Sequence, residues 1–435
     1  MLSLLLGVVG LGLLSRARGP DAEQRAALAV LEHSQPGAGE NAFAAFWLMA
    51  YDVPADARPA LVAEDAERIL AMRPAFAKDG TLDAAQFEYA AEGRYAGIVP
   101  PEADWRKFCK SRESGCLEKV RADPIGYERL LAAHARLIAQ ASDLRRYGHM
   151  RTQVPLRPDM PLPPFQYALA PMTRNAADFV AGRVDTALAD VCENAAAWRR
   201  IGADSDMLIA RMIGIAYVGG YARLFAEMLA ELPAERPLPP VCAVAFAPPA
   251  PEDGSSCLAM KGESAFIRAG MAMALDVQRE EVGLADLYLP LVYSQKMTEA
   301  RVAPEHAYAC SLPVRESLAS DVPVSPYTGK ASSFDCIANL FGCALSEVSA
   351  SDGFVEYIRR GQDHSARLRL TATLIWLRER GAEGQKVGEA LRQRPSVLAH
   401  GRDIVVGEDG RSLRIALYHQ GQGDHWELPL PAPAR

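Results

Sequence analysis

The chain has 435 residues, 49% of them hydrophobic and 23% charged, with a formal net charge of −7. That length allows two or three domains with real cores, and the composition excludes a mainly disordered chain. The acidic balance, with no Lys/Arg run to offset it, excludes a basic nucleic-acid footprint. Lys supplies only eight of the 47 basic residues, so arginine carries nearly all the positive charge.

The first element is the uncharged run Leu2 to Leu14, followed by Ser15-Arg16-Ala17-Arg18-Gly19-Pro20. A membrane span needs ~20 apolar residues, so the run is short for one and better suits a signal-peptide core or a truncated signal-anchor. No basic segment precedes it and no convincing A-x-A cleavage site follows, which keeps a buried N-terminal helix as a third reading. The arginines behind the run argue, by the positive-inside tendency, for a cytoplasmic body.

Asp21 to His33 has helical propensity and an acidic start. Asn41 to Tyr51 (NAFAAFWLMAY) reads as a buried helix stopped by Pro54, and Ala55 to Met72 as an amphipathic one stopped by Pro74. The clearest helix spans about Asp123 to Arg146. It has an Asp-Pro start and Leu130, Leu131, Leu137, Ile138 and Leu144 on one stripe. Pro155, Pro158, Pro161, Pro163, Pro164 and Pro171 then predict a stiff linker or strap. Packed antiparallel helices are expected from Thr173 to Leu232, with an interruption at Gly219-Gly220. A second proline-rich segment, Pro233 to Pro251, precedes a helix over Ser264 to Glu280 and a further one near Leu284 to Met297. From Ala303 the chain turns towards loops, with a last helix over Ala366 to Arg380. Asp403–Val406 and Leu413–Tyr418 flank Glu408-Asp409-Gly410, a hairpin signal, and Trp426-Glu427-Leu428 offers a third short strand.

The expected fold is therefore mainly α. Packed antiparallel helices are joined by proline-rich straps, with a small β-hairpin element at the C-terminus. Expected divisions are 1–19 (anchor or signal), 20–152 (helical), 153–172 (proline-rich linker), 173–302 (helical with an internal strap) and 303–435 (mixed α/β).

Eight cysteines invite a redox reading. Cys109 and Cys116 lie seven apart, as do Cys336 and Cys343, and Cys242 and Cys257 form a wider local pair, while Cys192 and Cys310 stand alone. The even count behind a hydrophobic N-terminus favours disulfides in an oxidising compartment. Free buried thiols are the competing reading. A zinc site is disfavoured because no C-x₂-C spacing occurs.

Catalytic constellations are sparse. Gly262-Glu263-Ser264-Ala265-Phe266 resembles the catalytic glutamate motif of lytic transglycosylases, in which a carboxylic acid protonates a glycosidic oxygen. The Gly-Leu-Met-Gln segment of that family is replaced by Val282-Gly283-Leu284-Ala285-Asp286, and a capped helix start with an exposed Glu is the favoured reading of Glu263. No G-x-S-x-G elbow or S-x-x-K pair occurs. Gly329-Lys330 lacks the first glycine and the hydroxyl of a P-loop, so it reads as a turn. A solvated turn between strands is the favoured reading of His419, Asp424 and His425, with a metal loop as the alternative. No cofactor is implied. Phe43 to Tyr51 and the methionine pairs Met207/Met212 and Met271/Met273 could face a partner, although core packing explains them as well.

Glu40 to Trp47 with Tyr51-Asp52-Val53-Pro54, the Gly115–Leu117 to Asp123-Pro124 stretch, and Met212 to Tyr217 are similar to parts of a group of uncharacterised bacterial proteins. Those proteins carry an N-terminal membrane segment and an envelope-facing body. The resemblance implies a location at the bacterial inner membrane, on the periplasmic side, and supplies no catalytic residues. The expected role is non-enzymatic binding, scaffolding or accessory function. Its partners would be the membrane, through the N-terminal segment, and an envelope protein. A cell-wall or ester hydrolase with Glu263 as first suspect, and a cytoplasmic helical protein with reduced thiols, are the alternatives.

Overall fold

A computed structural model describes residues 2–33, 35–73, 87–281, 285–329, 332–349, 353–382, 384, 386–419, 421 and 423–431. The chain is 63% helical and ends in a small three-stranded antiparallel sheet. Pro74, residues 282–284 and Lys330, which figured in the sequence reading, lie outside the described residues.

The centre of the molecule is the helix Leu208–Ala230. It packs against Val184–Ala203 on one side and Gly353–Glu379 on another. Among the described residues it is the helix long and apolar enough to cross a membrane, but its apolar window is 72% buried inside the protein. A helix apolar all round is what a core position demands. Gly219-Gly220 does not interrupt it. A Cβ at Gly220 would meet Ser111 Cα at 2.7 Å, so this glycine lets the Cys109–Cys116 loop lie directly on the helix backbone.

One hydrophobic core runs from Ala42 to Leu430. Phe43, Phe46, Trp47, Leu48 and Met49 are fully buried in it, although only Phe43–Trp47 is helical. Phe46 packs on Phe165 and Trp198, and Trp198 meets Tyr217 edge-on at 4.7 Å. Such aromatic contacts supply both area and geometry. The Trp47 indole N–H donates to buried Asp65 at 2.7 Å. In the first proline-rich stretch Val154, Asp159, Met160 and Phe165 are buried, so this strap is part of the packed body.

Several helix boundaries differ from the sequence reading. Asp123 caps its helix as its type predicts, accepting from Gly126 N–H at 2.9 Å. The helix then breaks at His134 into Pro124–Ala133 and Ala135–Ser142, with a 3₁₀ turn over Asp143–Arg146. His134 is drawn off the axis by Asp104, 3.1 Å away, and by the Phe108 ring. The region after Ala303 is also more helical than expected, with Leu312–Ser320 and Leu340–Ser349. The helix expected from Ala366 begins at Gly353, and two short helices, Lys386–Arg392 and Ser396–Ala399, follow it.

The C-terminal strands are β1 (Ile404–Val406), β2 (Ser412–Ala416) and β3 (His425–Pro429), in the order β1-β2-β3. Ile404 pairs with Ile415, and Ile415 with Trp426. Ile404, Leu413, Ile415, Trp426 and Leu428 turn inward onto the main core, following the two-residue period of a half-buried sheet.

Candidate functional site

All eight cysteines are paired. Cys109–Cys116 and Cys336–Cys343 close short loops. Cys242 and Cys257 do not bond to each other, contrary to their grouping in the sequence: the bonds are Cys192–Cys242 and Cys257–Cys310. Between Cys242 and Cys257 stand Pro248, Pro249 and Pro251, whose fixed φ angles oppose a fold back. Cys242 therefore staples the second strap to Val184–Ala203, and Cys257 joins the start of one long helix to the 3₁₀ turn Tyr308–Cys310.

Glu263 does not open a helix. The helix begins at Cys257, whose N–H is taken by Ser255 Oγ at 3.2 Å, and Glu263 lies in its second turn, half-buried. Gly262 beside it rests against the Asp206 carbonyl, where a side chain would overlap. Burial pushes the Glu263 carboxyl above the usual carboxylate range.

His419 and His425 are given separate tasks. His419 Nδ1 lies 2.7 Å from Glu356, and its main-chain N–H donates to Asp363. His425 opens β3 opposite Ala416, exposed, and Asp424 accepts the Leu417 N–H through its carbonyl. Among the described residues no group of three or more His, Cys, Asp or Glu side chains is placed to hold a metal.

A cavity of about 590 Å³ lies where four elements meet: the Cys109–Cys116 loop, Leu208–Ala230, Gly353–Glu379 and the C-terminal sheet. Arg112, Arg223, Arg367 and Arg411 line it with His425 and Trp426. The Arg223 and Arg367 guanidinium carbons sit 5.7 and 5.9 Å from the Trp426 ring centre. Trp426 is 3% exposed, and its indole N–H has no acceptor among the described residues.

Three carboxylates also line this cavity, and each is engaged locally. Glu227 accepts the Gly115 and Leu117 N–H groups, at 2.6 and 3.4 Å. Asp409 accepts from Arg411 N–H and Ser412 Oγ within its own turn. Glu427 pairs with Arg414 at 2.9 Å. Among the described residues Arg112, Arg223 and Arg411 form no ion pair with any of them; Arg223 Nη1 donates instead to the Ser111 carbonyl at 2.8 Å. Arg367 shows the concentration of like charge. Burial lowers it to about 10, Asp363 opposes the shift, and Arg223, Arg402 and Arg112 add to it by repulsion. Burial likewise lowers Arg223, against the pull of Glu227.

No family model, curated protein or solved structure matches the chain. The arginine cleft had no sequence signature, because its members come from positions 112, 223, 367, 411 and 426 and share no spacing.

Proposed function

We propose that this is a protein of the bacterial envelope, attached at the inner membrane by its N-terminal helix and facing the periplasm, with a non-enzymatic binding or accessory role. The observation that carries the reading is the pairing of all eight cysteines, two of the bonds joining residues 50 and 53 positions apart. Such bonds persist where the compartment is oxidising. The N-terminal helix Leu2–Arg18 adds support. Ser15 is buried and donates to the Phe334 carbonyl at 2.9 Å, whereas Leu11, Leu13 and Leu14 stay exposed. An apolar face left bare beside a docked end suits a segment that meets lipid.

A hydrolase reading is favoured by one observation, the raised carboxyl of Glu263, because a general acid must hold its proton near neutral pH. The non-enzymatic reading is preferred because burial alone accounts for the raised Glu263 carboxyl.

The test is a thiol count by intact mass on protein purified from its native host without reductant, alkylated before and after reduction. No free thiol before reduction and eight after it support the envelope reading. Eight free thiols before reduction overturn it and leave a cytoplasmic helical protein. Membrane-fraction recovery that is lost on deleting residues 2–18 tests the anchor separately.

A further inference from the structure

We infer that the cleft between the Cys109–Cys116 loop and the C-terminal sheet is a binding site for a phosphoryl oxyanion, held by Arg112, Arg223 and Arg411, with the Trp426 ring packed against Arg223. The inference deepens the binding reading above by naming the ligand chemistry, and it does not depend on the compartment.

Four observations carry it. The first is donor character. Guanidinium groups only donate hydrogen bonds, so three of them lining one cavity are complementary to an acceptor-rich anion. The second is that, among the described residues, none of the three guanidiniums is held by a carboxylate, Arg223 Nη1 going to the Ser111 carbonyl. The neighbouring carboxylates are engaged by main-chain N–H groups, Ser412 and Arg414, while the three arginines form no ion pair among the described residues.

The third observation is rigidity. Arg112 lies inside the loop closed by Cys109–Cys116, and that loop is tied to the central helix through Arg223 and Ser111. Donors held in advance lose little freedom on binding. The fourth is charge contrast: four arginines against three carboxylates leave the cleft lining positive on a chain whose net charge is −7.

A phosphoryl group fits better than a carboxylate. One guanidinium satisfies a carboxylate with a two-point contact, whereas donors from a loop, a helix and a sheet turn suit terminal oxygens directed several ways. The cavity, at about 590 Å³, exceeds what a lone phosphate needs and leaves room for the molecule bearing it. The same chemistry is offered by a soluble phosphate ester and by a phospholipid headgroup.

The experiment titrates the full-length, oxidised protein with inorganic pyrophosphate by calorimetry, against sodium chloride at equal ionic strength. Saturable binding at one site per chain is expected. Arg112→Gln and Arg411→Gln, both at exposed positions where folding is not at risk, should each weaken it at least threefold, and the double variant at least tenfold. Absence of binding beyond that of chloride, or binding unaltered in the Arg112/Arg411 double variant, overturns the assignment while leaving the thiol count untouched. Flotation with phosphatidylglycerol vesicles against phosphatidylcholine vesicles separates the sources. Preference for phosphatidylglycerol that the double variant loses supports a lipid headgroup. Pyrophosphate binding without that preference supports a soluble phosphate ester.

Discussion

Asp363 accepts Arg402 Nη1 at 2.6 Å, and both side chains are nearly inaccessible, at 1% and 7% exposure. The same carboxylate takes the main-chain N–H groups of Tyr418 and His419, at 2.8 and 2.9 Å. Arg402 reaches on to Asp321, which also receives Arg369 Nη2 at 2.6 Å, and its guanidinium stacks 3.8 Å from the Tyr418 ring centre. Burial opposes ionisation of Asp321, but the hydrogen bonds and charge of Arg402 and Arg369 outweigh it and hold this carboxyl below its ordinary range. This buried network bonds the helix Gly353–Glu379 to the chain on either side of β1 and β2.

Removing one partner of such a buried pair strands the other. Asp363→Ala should therefore cost about 3–5 kcal/mol, well beyond the median of an exposed salt bridge. Urea denaturation measures the loss. Limited proteolysis should cut first within residues 404–429, and first cuts elsewhere would mean that the network does not hold the sheet in place.

Two buried histidines make stability depend on pH. His306 is held down to about 4, by burial first and then by Arg268. His364 is held down to about 3, by burial first, with Arg211, Arg199 and Arg367 adding to it and Asp253 opposing. Both bind their proton more readily when unfolded, at an ordinary value of 6.5. Stability is thus full above pH 6.5 and falls as the pH drops from there towards 4 and 3. By pH 5 the loss is about 2 kcal/mol for each histidine. Chemical denaturation at pH 7.5 and pH 5.0 checks this, and His306→Leu should flatten the slope by roughly half of the two-histidine contribution.

The disulfides should contribute unequally. In the chain-entropy account, Cys192–Cys242, spanning 50 positions, stabilises by about 4 kcal/mol and Cys109–Cys116, spanning seven, by about 2.5 kcal/mol. Paired Cys-to-Ala variants of each bond, compared by urea midpoint, should show that order. The reverse order would place native-state contacts above chain entropy.

Glu263→Gln reads two questions at once. A carboxyl raised by burial imposes its cost above the ordinary carboxylate range, so the variant should be as stable as the parent or more so at pH 7.5, with the difference vanishing below about pH 4.5. Thermal denaturation at both pH values checks the sign. Peptidoglycan clearing by the parent that disappears in Glu263→Gln would replace the non-enzymatic reading with the hydrolase one.

The apolar stripes at helical spacing, the Asp123 cap, the hairpin around Glu408-Asp409-Gly410 and the even cysteine count are local signals, and each was legible from neighbours in the chain. They determined a helical body, a closing β element and a reading of paired cysteines. Only the tertiary structure decided which cysteines bond, because Cys192 and Cys310 find partners about 50 positions away. Packing also decided that Gly219-Gly220 continues a helix, since the glycine there admits the Ser111 backbone instead of breaking the ladder. It likewise gathered Arg112, Arg223, Arg411 and Trp426 around one cavity. Burial of distant side chains against one another is a property of the folded surface, and no window along the chain contains it.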